Sequence, residues 1–576
     1  MTATNELEAA GYRFRMDQVA EGMECSLSAK SGADEGITDI HIKLSAAQPV
    51  RPTETVLKWK VPMKNIHFKW NTACFRHRFL DVMNDCVNSF TSRSVNNAPV
   101  MALYDIGGTN ALTFALSDAM YENGIGVSIG EEGWPDCTVR LFCEPWDAIN
   151  EYSVILRIDQ RRVSYQKALV DVAEWWQEVD NCKPAYIPDD ARQPFYSSWY
   201  SYHGQMTQDA IEKEAVAAAE LGMKGILVDA GWGGYEGINT DRFPDLSGMV
   251  QKVHDLGMKI LLWTSPSIVV DSLKDKSLVV GKAGKRRMDF RYPETRAHAV
   301  NFYRDIMTKY NVDGFKIDFI GSLGKAPEDE PDNDERDCKS LPEGADRMLG
   351  EAAAAMRTIN PEAMIEFRQR YNGPHMLKHA TMMRAIDCGY CYADNRQRVL
   401  DIRLTAGKTP AHADMIAWSP EEPVESAAMH LIHTLFSVPQ ISVKLHDIAA
   451  DHKAVIRTYL KFWSEHRDVI LDGELTATAP QDSFPLVLAE TSAKLLVAFY
   501  GDAVARISEK VPDTILLVNG TYNESVVLNC AGELGKYHLR TTTCTGKDAG
   551  EQETTLSAGA HAVPIPVSGY GLMEKA

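Results

Sequence analysis

The 576-residue chain contains no apolar run approaching ~20 residues, so no stretch of it is long enough to cross a bilayer as a helix. It also lacks an excess of positive charge. Sixty Lys and Arg stand against 79 Asp and Glu, a formal net charge of -19, which argues against nucleic acid or an anionic membrane as partner, since both need a basic face. The first residues, MTATNELEAAGYRFRM, carry no apolar h-region and hence no recognisable secretory signal. The 11 cysteines are scattered and odd in number. Without a signal they are expected to be reduced thiols in a cytoplasmic protein. Cys388 and Cys391 have CxxC spacing, but no second pair lies nearby to complete a zinc site, and ordinary packing is expected of them. There is no internal repeat and no low-complexity tract. What is present is ordinary for a large soluble core: 45% hydrophobic and 24% charged residues, at a length suited to two or three domains.

The pattern along the chain divides it into three. Residues 1–182 carry short alternating segments (YRFRM, SLSAK, DIHIKL, VLKWKV, IHFKW, ALTFAL, VRLF, YSVILRI) separated by polar and Gly-bearing turns. They read as an N-terminal antiparallel β-sandwich followed by a helix over Ser164–Val179. The stretch NCKPAYIPDDARQP, rich in Pro and Asp, then reads as a linker. Over 193–472 eight strand-like runs appear: PFYSSWYSYHG, GILVDAGW, KILLWTSP, DGFKIDFI, AMIEFRQR, AIDCGYCYAD, TPAHADMIAW and VPQISVKL. Helical segments separate most of them, the first with Thr207 as N-cap and Gly222 as its stop. Eight alternations are the count for a (β/α)8 TIM barrel. An acidic insert, residues 327–337, follows the fourth strand and reads as a solvated loop. From 473 to 576 the pattern returns to short strands, expected to form a small C-terminal antiparallel β-sandwich.

The run Asp313–Ile320 (DGFKIDFI) organises the rest. Lys316 and Asp318 lie two apart, so on a strand they share a face, and a buried strand rarely carries both unless they pair or react. Near the C-terminal ends of the other runs stand Trp199, Tyr200 and His203; Asp229 and Trp232; Trp263; Arg368 and Arg370; Asp394; and His412, Asp414 and Trp418. That is the end where barrel active sites lie. Carboxylates that accept hydroxyl hydrogen bonds, beside tryptophans that stack on sugar C–H faces, suit a polyhydroxylated ligand. Two carboxylates across a barrel mouth are the minimum set for glycoside cleavage. Asp318 is assigned as nucleophile, held ionised by Lys316, and Asp394 as general acid/base. Each assignment has a structural rival. Asp394 is also placed to cap the helix NRQRVLDIRL, Asp229 to cap its loop, Asp318 to form a mere ion pair with Lys316, and Trp263 to fill the core. His412 and Asp414 resemble part of a metal set, but no second His-rich strand end joins them.

These motifs, in this order, resemble the clan D α-glycosidases, above all the α-galactosidases of glycoside hydrolase family 36. Val228-Asp229-Ala230-Gly231-Trp232 is similar to that family's V/L-D-D-G-W. Leu256-Gly257-Met258-Lys259 leads to Trp263 as its L-G-M-K helix end leads to a Trp-bearing strand. Lys316-Ile317-Asp318 is similar to K-W-D, and Ala393-Asp394-Asn395 followed by Asp401-Ile402-Arg403-Leu404 is similar to S-D-N-T-D-A and its R-L helix. The resemblance implies a retaining mechanism: a covalent glycosyl-aspartate at Asp318, and Asp394 as proton donor and then base. It implies sugar contacts at Trp199, Asp229, Trp232, Trp263, Lys316, Arg368, Arg370 and His412, no metal and no organic cofactor. It also implies a carbohydrate substrate as the main partner, with homo-oligomers common.

The chain departs from that pattern twice. Ala230 replaces a second Asp, and Arg368-Gln369-Arg370-Tyr371-Asn372-Gly373 replaces the family's C-x-x-G-G-G stretch. Losing a carboxylate and gaining guanidinium groups points to an altered glycone, one bearing an acidic or otherwise modified group. Three rival readings remain: a transglycosidase like the raffinose and stachyose synthases, a metal-dependent barrel hydrolase using Asp229, His412 and Asp414, and a sugar-binding protein without catalysis.

Overall fold

A computed structural model describes residues 5–73, 76–81, 89–235, 237–280, 284–327, 330 and 333–576. Its centre is an eight-stranded parallel sheet of short strands: β1 (Phe195–Ser197), β2 (Gly225–Val228), β3 (Lys259–Thr264), β4 (Gly314–Ile317), β5 (Met364–Arg368), β6 (Met382–Arg384), β7 (Ala411–His412) and β8 (Gln440–Ile441). Each pairs with its neighbour in order, and β8 pairs back onto β1. Bridges from His412 to Val438 and from Ile416 to Ile441 join β7 to β8 and close the ring. The TIM barrel expected from the alternating pattern is therefore present.

Local chemistry explains the elements. Thr207 accepts a hydrogen bond from the Ala210 amide at the start of Gln208–Glu220, and Ser340 does the same for Glu343 before Leu341–Ile359. Both are N-caps that satisfy otherwise orphaned amides. Gly314 opens β4 because nothing larger fits: a Cβ there would lie 2.0 Å from the Met364 carbonyl oxygen on β5. Behind the strands, Ile226, Leu262, Phe315, Ile365 and Met383 are fully or almost fully buried and join the helices in one large apolar core.

Two of the strand-like runs are shorter than their sequences suggest. The first run stops at Ser197, and Trp199–Tyr202 is a helical turn. The sixth strand is Met382–Arg384, upstream of AIDCGYCYAD. That run is a loop which ends by entering the helix Tyr392–Arg403. Its apolar and aromatic residues look strand-like, but a turn with the Cys391 amide bonded to the Cys388 carbonyl at 2.8 Å breaks it.

The N-terminal part is two six-stranded antiparallel sheets packed over a shared core. The helix α1 (Tyr165–Val179), capped by Ser164, follows them. The C-terminal part is a seven-stranded and a three-stranded sheet. These are antiparallel except where Lys494–Phe499 runs parallel to Thr514–Asn519 and Val504–Ile507 to Ser525–Cys530. The acidic insert is solvated at Asn333, Asp334 and Glu335 but anchored by Glu330, whose carboxylate pairs with Arg291 at 2.8 Å and Arg336 at 2.7 Å. Glu328, Asp329, Pro331 and Asp332 of that insert lie outside the described residues. Among the described residues, no helix is long and apolar enough to cross a membrane.

The N-terminal sheets are tied to the barrel by polar groups. Arg93 donates to the carbonyls of Gly324 (2.7 Å) and Gly321 (3.2 Å), holding the loop after β4. Asp401 accepts from Trp70 at 2.8 Å and pairs with Arg78, both partners being almost fully buried. Replacing Asp401 by Ala would remove the carboxylate that pairs with the buried Arg78 guanidinium. The expected cost is about 3–5 kcal/mol, read as a lower midpoint in denaturant unfolding, with Asp401→Asn retaining part of the loss.

Candidate active site

Asp318 follows directly on β4, with its amide bonded to the Thr264 carbonyl of β3 at 2.8 Å. It is 7% exposed, and its carboxylate is fully engaged. Oδ1 accepts from the Phe319 amide (2.7 Å), Arg368 Nε (2.8 Å) and Tyr371 OH (3.2 Å), and Oδ2 accepts from Trp263 Nε1 at 3.3 Å. Burial pushes the carboxyl up, but Lys316, Arg368 and the Phe319 amide outweigh it and hold Asp318 below the usual carboxylate value. It is therefore ionised at neutral pH. Phe319 adopts a left-handed backbone (φ 55°) and leaves its ring 42% exposed at the mouth, set edge-on to Trp263. A bulky non-glycine residue there is unusual and clusters with functional sites.

Lys316 does not hydrogen-bond Asp318. Its ammonium is bound to Asp229 Oδ2 at 2.6 Å, both groups buried, and it acts on Asp318 through its field. β5 and β6 add a second charged set. Arg384 is 1% exposed; it pairs with Asp414, approaches Glu366 at 3.4 Å and reaches Asp387 at 3.5 Å. Tyr200 OH donates to Asp414 at 3.0 Å.

Sequence reasoning missed Asp387. It stands three residues beyond the last residue of β6, with its side chain 62% exposed at the mouth. The surrounding walls raise its carboxyl, but Arg384, Arg368 and, more weakly, Lys316 lower it further. Asp318 and Asp387 thus share the field of Arg368, which lies on the strand between theirs. The signal was in the sequence: an acidic residue closes the apolar run MMRAID just as Asp318 closes GFKID.

Asp394, assigned as acid/base from its neighbourhood, lies instead in the first turn of the helix α2 (Tyr392–Arg403). Cys391, not Asp394, is the N-cap residue. Both Asp394 oxygens are engaged by Arg76 of the N-terminal part, Oδ1 at 3.1 Å from Nε, and Arg398 stands 4.0 Å away. Asn395 is the residue of this turn that faces inward, exchanging two 2.9 Å hydrogen bonds with the Asp414 backbone.

The other expected contacts fall into two groups. Trp263, Lys316, Asp229 and Arg368 converge around Asp318. Trp199, half-buried, stands edge-on to His203 at 5.3 Å, and Arg370 is exposed beside the β5 end. Trp232 and His412 are corrections, because each is 0% exposed. The Trp232 indole donates to the Trp263 carbonyl at 2.9 Å, so it builds the wall and has no free face for stacking. His412 Nε2 reaches the Ala191 carbonyl at 2.9 Å and Nδ1 meets Gln440 at 3.1 Å. Burial pushes its imidazole down to about 4, leaving a neutral core histidine, with neither a metal ligand's open position nor a sugar contact. Arg368 has its Nε on Asp318 and its Nη1 on the Gln369 carbonyl at 3.1 Å.

Residues 195–383 match the glycosyl hydrolases family 31 TIM-barrel domain. In that match the barrel is similar to those of the clan D α-glycosidases. The α-galactosidase AgaA of glycoside hydrolase family 36 from Geobacillus stearothermophilus superposes with a TM-score of 0.66 at 12% identity, covering 99% of this chain and 84% of that one. The α-galactosidase from Lactobacillus brevis gives 0.61 at 13% identity, covering 98% and 85%. At these identities the likeness is one of fold, and it extends to the flanking β-domains. In sequence the chain is 31% identical over 101 residues to the alpha-xylosidase XylQ of Lactiplantibacillus pentosus, a match that spans 14% of this chain and 13% of that protein.

The buried pair makes a direct prediction. Lys316→Met leaves Asp229 without its cation, and a loss of about 3–5 kcal/mol is expected in denaturant unfolding. A carboxyl with a depressed folded value adds stability above its ordinary range, and that stability is lost as pH falls through the folded value. With Lys316 gone, Asp318 titrates higher and closer to its unfolded value, so its share of the acid-side loss of stability should be smaller than in wild type.

Proposed function

We propose that this protein is a retaining α-glycosidase that removes a terminal α-linked sugar through a glycosyl-aspartate at Asp318. The observation that carries this reading is the buried, ionised Asp318 at the C-terminal end of β4, with Arg368 between it and a second carboxylate at the end of β6. Asp318 attacks the anomeric carbon and expels the leaving oxygen; water then attacks the same anomeric carbon and releases the Asp318 carboxylate. Asp387 is proposed as the residue that serves the leaving oxygen and then the water, in place of Asp394, because the two oxygens of Asp394 are held by Arg76. The cationic surroundings of Asp387 favour its ionised form, which suits water activation. Proton delivery in the first step requires the bound sugar to shield it from Arg368.

The glycone is proposed to differ from galactose. Asp229, the one carboxylate left in Asp229-Ala230, is already bonded to Lys316. Arg368 is committed to the nucleophile, and Arg370, exposed beside the β5 end, is proposed as a guanidinium that meets an acidic substituent. A panel of 4-nitrophenyl α-glycosides that includes α-galactoside, α-xyloside and acidic sugars tests this. Turnover best on an acidic sugar and reduced by Arg370→Ala supports the altered glycone; efficient α-galactoside turnover that is indifferent to Arg370→Ala rejects it.

Asp318→Ala should abolish turnover of whichever glycoside is cleaved. Asp387→Ala should lower kcat/KM roughly 10²–10⁴-fold on substrates with poor leaving groups and far less on glycosyl fluorides, which need no proton. Asp394→Ala should behave as a stability variant. If Asp394→Ala shows the leaving-group dependence and Asp387→Ala does not, the assignment of the two residues is reversed. Arg368→Ala removes a cation from Asp318, and the acid limb of kcat/KM is expected to move upward by about one to two pH units.

A further inference from the structure

Far from the barrel mouth, three donors of different chemistry meet where the segment leaving α1 crosses the loop after β5. Asp180 is the C-cap of α1, and Asn181 beyond it is left-handed (φ 50°), so the chain turns back on the helix end. The Asp180 and Cys182 amides both bond the Trp176 carbonyl, at 3.2 and 3.4 Å. His375 comes from the short helix Pro374–Leu377. Its Nε2 lies 2.8 Å from Asp180 Oδ2, and Cys182 Sγ lies 3.5 Å from the same oxygen. The three donor atoms all fall within 4.8 Å of one another. Cys182 and His375 are buried, at 2% and 4% exposure, while Asp180 is open on one side to solvent.

The imidazole is also braced from behind. His375 Nδ1 faces Asp346 Oδ1 at 3.6 Å and Lys378 Nζ at 3.2 Å. Asp346 in turn is held by His379 Nε2 at 2.9 Å and Lys378 Nζ at 3.0 Å. A carboxylate behind a histidine fixes its orientation and raises the basicity of its other nitrogen, as at many metal centres. One sulfur, one imidazole nitrogen and one carboxylate oxygen form the donor set of a borderline divalent ion such as zinc. An oxygen-preferring ion would not use the thiol.

We propose that Asp180, Cys182 and His375 bind a zinc-type divalent cation that clips the segment leaving the N-terminal part onto the barrel, with Asp346 positioning His375. Binding replaces the Cys182 thiol proton and any proton on His375 Nε2 with the metal and releases both to solvent. Without metal, the same groups form an imidazolium between two carboxylates, and Asp180 and Asp346 push His375 up to about 11 against its burial. The two states differ in whether the sulfur is a hydrogen-bonded thiol or a metal-bound thiolate.

The test uses the full chain. Chelator-treated protein is titrated with Co²⁺, and the near-ultraviolet thiolate-to-cobalt charge-transfer band is followed. Zinc content and Tm are measured before and after chelation. The expected result is a saturable band that is lost in Cys182→Ser, together with a zinc-dependent rise in Tm that is lost in both Cys182→Ser and His375→Gln. No charge-transfer band in the wild type, or a Tm indifferent to metal, overturns the proposal and leaves the imidazolium clip. A band that persists in Cys182→Ser places the metal on other thiols and overturns it equally. No readout depends on glycosidase activity.

Discussion

Charge compensation inside the barrel is the constraint on which the site depends. Asp229, Lys316, Asp318, Glu366, Arg384 and Asp414 are all buried within or at the ends of the central strands, where an unpaired charge would cost several kcal/mol. The structure answers by pairing opposite charges: Asp229 on the β2 end with Lys316 on β4, across β3, Asp318 on the β4 end with Arg368 on neighbouring β5, and Glu366 and Asp414 with Arg384 on β6. In register, Lys316 pairs with Glu366 and Arg368 with Arg384, so slipping one strand would break the salt links that these side chains make. The charges that would perform chemistry are thus also the ones that fix the strands' relative positions. Only Glu366 is left with burial dominant, its carboxyl raised despite Arg384 and Lys316.

Much of this architecture could be read before any coordinates. The barrel follows from eight alternations of apolar strand and helix, and Asp318 from a carboxylate that shares a strand face with Lys316 at the end of a buried-type run. The partner of Lys316 could not be read, because sequence spacing puts Lys316 and Asp318 on one face but says nothing of Asp229, 87 residues upstream. The proposed transfer of the acid/base role from Asp394 to Asp387 has a related cause. AIDCGYCYAD contains two carboxylates seven residues apart, and choosing between them depends on where β6 ends. Apolar content alone cannot locate that end, since a β-turn through Gly389 and Tyr390 interrupts a run that reads as strand. His412 and Trp232 were mistaken for surface groups because a strand-end position was equated with exposure. In a barrel this narrow, part of each strand end faces the packed interior.

The N-terminal part does more than flank the barrel. Arg93 holds the loop that follows β4, Arg76 holds the first turn of α2, and Asp180 and Cys182 lie against the loop that follows β5. Its contacts fall on the loops after β4, β5 and β6, which carry Asp318, Arg368 and Asp387. The barrel scaffold fixes where these three strands end, and the N-terminal part limits how far the loops beyond them can move.

Arg368 has a further consequence in the proposed mechanism. In the free protein its guanidinium serves two carboxylates, so both are held ionised and neither is poised to give up a proton. Once a glycosyl ester forms on Asp318, that oxygen loses its charge and Arg368 is left with Asp387 alone. The field on Asp387 then strengthens at the step where a base is needed and is weakest when a neutral sugar lies between them, the step where an acid is needed. A single cation between two carboxylates on adjacent strand ends can therefore alternate the role of the outer one without any movement of the backbone. Replacing it with a neutral residue should uncouple the two half-reactions: Arg368→Met should slow hydrolysis of the ester more than its formation from activated donors, so that a burst of leaving group appears where the wild type shows none.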